Sequence, residues 1–372
     1  MSYNRAEYDT EALRGNVRLV RELVGHRKIM AAVKANGYGM GVMPLVNTLL
    51  EEGVEYLAVA LVEEALALRA KDIKAPILVL GAIPPQDLAK AVYNDIAITV
   101  FSFDCAMMVD FVAGQLGKKA KIHIKIDTGM HRLGFEPTEE SLGMIKVICE
   151  MPNLEVEGLF SHLAQADCDY GQDFTEKQIA LFKATVDKLE AAGVFIPLKH
   201  LANSAAILDY PAAYWDMVRP GILLHGFGTG SKNSQRLQEV LTLKSAIVRL
   251  HTAEAGAAVS YTGSFVAKEP RLIATVPVGY ADGYFRSLAN KAEALIGGMR
   301  AKQVGNICMD QMMFDVTGIP QVKIGDEVVL WGKQGDEFIS LAEVAEKAGT
   351  ITYELLTSMK RIPKYYYFED DD

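Results

Sequence analysis

The chain has 372 residues, of which 50% are hydrophobic and 23% charged, with a formal net charge of -9. That is ample apolar material for the core of one large domain or two of ordinary size. The acidic balance argues against a nucleic-acid partner, which needs clustered Lys and Arg, and no apolar run of about 18 residues reads as a membrane span. The opening MSYNRAEYDTEALRGN is polar and charged, and reads as neither a secretion signal nor a transit segment. The four cysteines, Cys105, Cys149, Cys168 and Cys308, are scattered without a CxxC pair. They read as reduced thiols of a cytoplasmic protein rather than as a disulfide framework or zinc site. The acidic tail Glu369 to Asp372 reads as disordered.

Up to about residue 235, short apolar runs alternate with amphipathic stretches. Ile29 to Val33, Tyr56 to Ala60, Ile77 to Leu80, Ile96 to Val100, Ala120 to Ile126 and Val156 to Phe160 read as buried parallel strands, with weaker ones at His200 to Ala202 and Met217 to Val218. Val62 to Lys71 and Thr175 to Ala192 read as helices between them. Eight strands alternating with helices suit a (β/α)8 barrel over residues 1–235, although an open doubly wound sheet gives much the same pattern.

From about residue 236 the texture changes to a mostly β domain, 236–372. Its strands are expected at Leu241 to His251, Leu272 to Pro277, Glu293 to Ile296, Gln303 to Ile307, Gln311 to Val316 and Glu327 to Trp331, with one helix near Leu341 to Ala348. The first few residues of the chain are candidates to pack with this second domain.

A barrel places its chemistry at the C-terminal ends of its strands. Lys34, Asp127 to Arg132, His162, Asn203 with Ser204, and Arg219 all follow apolar runs. Lys34 sits between a strand and a glycine-rich turn, where desolvation lowers an amine's pKa and makes it a Schiff-base nucleophile. Taken alone, it reads more readily as a lysine reaching out to solvent. Ser204 alone reads equally as a helix cap, whereas Arg219 alone reads more readily as a surface ion pair and Tyr261 as a core or interface aromatic.

The segment VKANGYG resembles the cofactor-lysine motif of alanine racemases. KIDTGMHRLGF, FSHLAQAD, HLANSAA, MVRPGILLHG, VSYTGSF, PVGYADGY, GNICMDQM and TITYELL follow in that family's order, and NRAEYDTEALRGN resembles its opening. The resemblance implies a pyridoxal 5'-phosphate enzyme of barrel plus β domain that interconverts L- and D-alanine. It implies Lys34 as the Schiff-base lysine and D-side base, and Tyr261, from the other subunit of a homodimer, as the L-side base. Racemisation needs bases on opposite faces of Cα, each within proton-transfer reach. A free tyrosine has a pKa near about 10 and needs cationic help. Arg132 is the implied neighbour, with His162 the next candidate.

The resemblance further implies a phosphate site of Tyr38, Asn203, Ser204, Gly221, Ile222 and Tyr353. Arg219 would face the pyridine nitrogen with His200 behind it; an arginine donates there but scarcely protonates the ring. The Met309 and Asp310 segment would also come from the other subunit and bind substrate, Met309 meeting the substrate carboxylate through its backbone N–H, and Tyr284 and Arg286 would line the entrance. Lys125 matches a position that is carbamylated in many members. Supply of D-alanine for a bacterial cell wall is the role implied.

Two departures stand out: Met40 where the family usually has His, and Asn306 where Arg is usual. Both bear on substrate choice, and a serine, lysine or broad-specificity racemase is the nearest rival, since one methylene changes selectivity by only about 1–3 kcal/mol. Tyr353 favours alanine by crowding the space beyond a methyl group. A non-catalytic pyridoxal-phosphate carrier would end at the barrel. A decarboxylase of the same two-domain plan would need a late cysteine-and-aspartate segment with no convincing match here. His123, His131, His162, His200 and His225 form no HxxxH or HxH cluster, so no metal is expected.

Overall fold

The computed structural model describes residues 2–168, 170–229 and 231–367; the acidic tail lies outside them. The chain divides into two compact units. One holds Arg14–Gly37 and Val42–Leu237. The other holds the opening segment to Leu13, the short stretch Tyr38–Gly41 and the chain from Gln238 onward, so the division is not a single cut in the sequence.

In the first unit, parallel strands close into a barrel: β2 (Lys28–Ala32), β3 (Tyr56–Val59), β4 (Ile77–Val79), β5 (Ala97–Val100), β6 (Ala120–Lys125), β7 (Leu154–Phe160), β8 (Leu198–His200) and β9 (Met217–Val218), numbered after β1 (Arg5–Asp9) of the other unit. Closure comes from Lys28 and Ile29 pairing with Met217 and Val218, which excludes the open sheet. The strands are almost continuously apolar because side chains on both faces are covered, inward by the barrel core and outward by helices. Met30, Ala58, Leu78, Ala97 and Met217 pack together in one buried core cluster. The expected helix at Thr175 begins earlier, spanning Gln172–Ala191.

One glycine in the wall bears on the site. A Cβ at Gly158 of β7 would lie 2.1 Å from Nδ1 of His123 on β6, so the glycine makes room for a histidine inside the barrel.

In the second unit the strands cross one sheet in the order Arg249–Ala253, Arg271–Val276, Met312–Asp315, Met299–Val304, Glu293–Ile296, Glu327–Gln334, Leu241–Ala246, β1 and Lys364–Tyr367. The expected single strand Leu241 to His251 is two strands. Ile247 and Val248 donate to Asp326 and Thr275, handing the chain from one part of the sheet to its other end. The helix Leu341–Ala348 lies where the pattern put it, capped by Ser340. β1 alternates buried Ala6 and Tyr8 with charged neighbours. Those charges are satisfied across strands, Arg5 to Glu327 at 2.5 Å and Lys244 to Glu7 at 2.7 Å.

Among the described residues no helix is long and apolar enough to cross a membrane.

Candidate active site

Lys34 follows β2 and opens a single left-handed turn. Ala35, Asn36 and Gly37 have φ of 54°, 55° and 63°. Non-glycine residues seldom adopt this conformation, which costs roughly 1–2 kcal/mol each, and the surroundings hold it in place. Gly37 N–H donates to Val33 O at 2.9 Å, and Val42 N–H to Asn36 Oδ1 at 3.0 Å. Glu64 accepts from Ala35 N at 2.5 Å and, through its other oxygen, from Ala60 N at 2.8 Å, tying the exits of β2 and β3 together. The half-buried Lys34 amine has no hydrogen bond or ion pair among the described residues. Burial lowers its pKa and Arg132 adds to the fall, against a weaker pull from Glu64.

Lys125 ends β6 inside the barrel mouth, its Nζ 5.6 Å above the Phe160 ring. Burial, then the charges of Arg132 and Arg219, lowers its pKa to about 8. The loop that follows is shaped by Asp127, whose carboxylate accepts from Gly129 N at 2.9 Å and His131 N at 3.1 Å. It leaves Arg132 exposed.

The depressed lysine has a consequence for stability. Between about 8 and the ordinary lysine value the unfolded chain binds the extra proton, so folding stability should rise with pH across that window. Below it the fold carries an ionised lysine in a poorly solvated place. In carbon-dioxide-free buffer, Lys125→Met should therefore be more stable than the parent at pH 7, with the gap narrowing as pH rises through 8 to 10. Denaturant titrations at each pH read this, and a constant gap would contradict it.

Arg219 follows β9 and is only 5% exposed. Its Nη1 donates to His200 Nδ1 at 3.0 Å and to His200 O at 2.9 Å, and its Nη2 donates to Ser161 O at 2.7 Å and Leu201 O at 3.1 Å. Nη2 also lies 3.1 Å from His162 Nδ1. Nothing among the described residues accepts its Nε–H. Because arginine only donates, the polarity of what lies behind is determined. His200 accepts at Nδ1, so its Nε2–H donates to His123 Nδ1 at 2.8 Å, and His123 Nε2 faces Glu157 Oε2 at 3.7 Å. Burial pushes both histidines down in pKa, so each is neutral.

His162 is also held neutral, its pKa pushed well below the usual value by burial and by Arg219, Arg132, Lys125 and Lys34.

Asn203 caps the helix Ser204–Asp209, its Oδ1 accepting from Ala206 N at 3.1 Å. Ser204 Oγ accepts from Gly221 N at 2.9 Å and Leu223 N at 3.3 Å, so the hydroxyl joins two chain ends at the mouth. Ile222 opens the short 3-10 helix that follows Gly221. Gly221 N–H, on the segment the resemblance assigns to the phosphate, is thus bonded to Ser204 Oγ.

In the second unit, Tyr38 is buried, its ring 6.0 Å from that of Tyr353. Met40 is also buried, and its carbonyl accepts from the Tyr366 hydroxyl. Met40 is therefore a packing residue of this unit. Tyr261 is 71% exposed at the tip of a turn. Met309 and Asp310 are exposed, with Met309 O accepting from Ala281 N at 2.8 Å.

Tyr284 is 1% exposed and stacked on Trp331, with centroids 6.4 Å apart. A ring so buried presents nothing to a substrate, which corrects its placement at the entrance. Tyr280, four residues earlier in the same turn, is 42% exposed and is the tyrosine that faces outward. Arg286 is exposed.

Sequence reasoning missed Glu64, His123 and Gln178. Buried Gln178 donates to Thr128 Oγ1 at 3.2 Å and His162 O at 3.1 Å, and accepts from Ala164 N at 2.9 Å, joining the exits of β6 and β7. His123 carried a readable signal. It stands two residues before Lys125 on one strand and so shares its face.

A lysine, a buried arginine and neutral histidines at the mouth of a closed parallel barrel, with a separate β unit, define a barrel-type enzyme of two domains. Residues 8–228 match the family model of the alanine racemase N-terminal domain, and residues 240–366 that of the alanine racemase C-terminal domain. Alanine racemases of Desulforamulus reducens and Methanococcus maripaludis are 42% and 43% identical, each match covering 97% of this chain and 98% of the relative. The solved alanine racemase of Clostridium difficile 630 superposes with a TM-score of 0.92 at 37% identity, covering 100% of this chain and 97% of that one. The chain belongs to the alanine racemase family, a family of isomerases.

Proposed function

We propose that the protein interconverts L- and D-alanine, with pyridoxal 5'-phosphate held at Lys34, in a homodimer whose active sites are shared. The observation that carries this reading is the presence in one barrel mouth of an amine with lowered pKa and a buried arginine, the amine without a hydrogen bond or ion pair and the arginine with its Nε–H unaccepted among the described residues. The donor set fits the cofactor. Lys34 offers a nucleophile for its aldehyde, Arg219 Nε–H a donor for its ring nitrogen, and the excess of cations a field for its phosphate. When bound, the cofactor supplies the electron-withdrawing system that acidifies the hydrogen on Cα.

The chain's own residues do the rest. Lys34 Nζ takes or returns the proton on the D side of Cα, and Tyr261 Oη of the partner subunit does so on the L side. Arg132 is assigned beside that tyrosine hydroxyl. Arg219 donates to the ring nitrogen without transferring its proton, because an arginine only donates, and His200 behind it holds the guanidinium in place. Charge developing at Cα then stays there, which favours return of a proton to Cα. Tyr38, Asn203, Ser204, Gly221, Ile222 and Tyr353 are assigned to the phosphate, and the backbone N–H of Met309, on the partner subunit's Met309–Asp310 segment, to the substrate carboxylate. We place the enzyme in the cytoplasm, consistent with its unpaired cysteines, supplying D-alanine for a cell wall.

The names of its relatives support alanine over serine or lysine, and the second domain argues against a carrier role. Purified protein with pyridoxal phosphate, offered L-alanine, L-serine and L-lysine in parallel, should form D-alanine fast, D-serine slowly and no D-lysine. A dominant serine or lysine product would keep the mechanism and overturn the substrate. No D-product from protein that visibly binds the cofactor would overturn the reaction.

The shared site has its own test. Lys34→Ala and Tyr261→Phe proteins should each be inactive, and after subunit exchange an equal mixture should recover about a quarter of parental activity, because half the dimers are mixed and each carries one intact site. No recovery, with exchange verified by mass, would contradict sharing.

A further inference from the structure

Within its own subunit the Tyr261 ring is 71% exposed, so packing inside that subunit does not fix where its hydroxyl goes. Its backbone is held instead, and Asn306 makes three of the bonds that hold it. Asn306 Nδ2 donates to Tyr261 O at 2.7 Å and to Thr262 Oγ1 at 2.9 Å, while the carbonyl of Asn306 accepts from Ser260 Oγ at 2.7 Å. The three bonds bracket Tyr261 on both sides. The residues they hold are ones that would not stay in place unaided: Ser260 and Thr262 both have positive φ, 68° and 59°, a conformation sparsely adopted by side chains other than glycine.

The strand that brings Asn306 there is itself tightly seated. A Cβ at Gly305 would lie 2.6 Å from Val259 O, and Gly305 N–H donates to Asn290 Oδ1 at 2.7 Å. Asn290 is held in turn by Gln303, whose Oε1 accepts from Asn290 N at 2.6 Å.

We infer that Asn306 is a positioning residue for proton transfer by Tyr261. The inference rests on the two-base reading above. Both bonds from the amide need a donor facing two acceptors. Aspartate has the same shape but only accepts when ionised. Proton transfer needs the base within about 2.6–3.2 Å of the hydrogen's carrier, and misplacement by about 1 Å can cost on the order of 100-fold. The loss therefore falls on the L-side transfer and not on cofactor capture or substrate binding.

Asn306→Asp and Asn306→Ala should lower kcat by roughly 10- to 100-fold with KM little changed and the visible absorbance of bound pyridoxal phosphate unchanged. Asn306→Gln, which keeps the donor amide, should recover part of the rate. The reading that separates positioning from general damage is the isotope effect. With L-alanine deuterated at Cα it should rise in Asn306→Asp, because the transfer to Tyr261 becomes more rate-limiting, while with D-alanine deuterated at Cα it should not rise.

Tyr261→Phe is run alongside. If it is inactive while Asn306→Asp keeps the parental rate and isotope effects, the positioning role is overturned and the two-base reading stands. If Tyr261→Phe keeps full activity, the two-base reading falls and the inference falls with it. An equal rise of both isotope effects would also overturn positioning. Should Asn306→Asp fail to fold, Ser260→Ala removes the third bond and must show the same one-sided isotope effect, or the inference is wrong.

Discussion

Lys34→Ala should abolish alanine racemisation and also abolish covalent capture of pyridoxal phosphate, read by borohydride reduction followed by mass spectrometry of the intact chain. No other single change should remove both. Covalent attachment needs a neutral amine, and the Lys34 amine is biased toward neutrality by its burial and by Arg132. It is presented by a left-handed turn held by Glu64 and by Asn36. The nearest substitute, Lys125, has its pKa lowered to about 8 but lies deeper, over Phe160, so it should not take over the attachment. If Lys34→Ala still captures the cofactor on another lysine and still racemises, the site has been placed on the wrong residue.

Tyr261→Phe should keep cofactor capture and lose racemisation by about 100- to 10,000-fold, the usual worth of a positioned general base. The substitution removes one hydroxyl from an exposed ring, so the fold and the thermal midpoint should be almost unchanged. A loss of that size without a loss of stability locates the effect in the chemistry. Full activity in both directions would refute the assignment.

The barrel was legible because each strand is covered on both faces and so reads as an unbroken apolar run. Tyr56 to Ala60 and Ile77 to Leu80 end within one residue of the strands observed. Strand β8 was less so: it was expected at His200 to Ala202 and lies at Leu198–His200, because its polar and cationic residues lie before its end rather than after it. β1 and the final strand Lys364–Tyr367 were not seen. In RAEYD the apolar signal is two residues, Ala6 and Tyr8, and the rest are charges; Arg5 and Glu7 pair with each other, and their further partners Glu327 and Lys244 arrive from more than 230 positions away.

At the site, Lys34 and Arg219 could be picked out by their position after apolar runs. What they face could not. The neutral state of His162 follows from four cations and burial that only the fold assembles. Tyr284 and Tyr280 show the limit in one turn: both are tyrosines of GYADGY, and only stacking on Trp331 tells which faces inward. Asn306 was readable as a departure from its relatives, but its bonds to Tyr261 and Thr262 were not.

The central claim is that two residues serve opposite faces of Cα. The most direct test follows exchange of the Cα hydrogen in heavy water by proton NMR, with Tyr261→Phe loaded with pyridoxal phosphate and given L-alanine or D-alanine separately. With Lys34 intact, D-alanine should exchange its Cα hydrogen without forming the L-enantiomer, and L-alanine should show almost no exchange. Equal exchange of both enantiomers would contradict the assignment of Tyr261 to the L side.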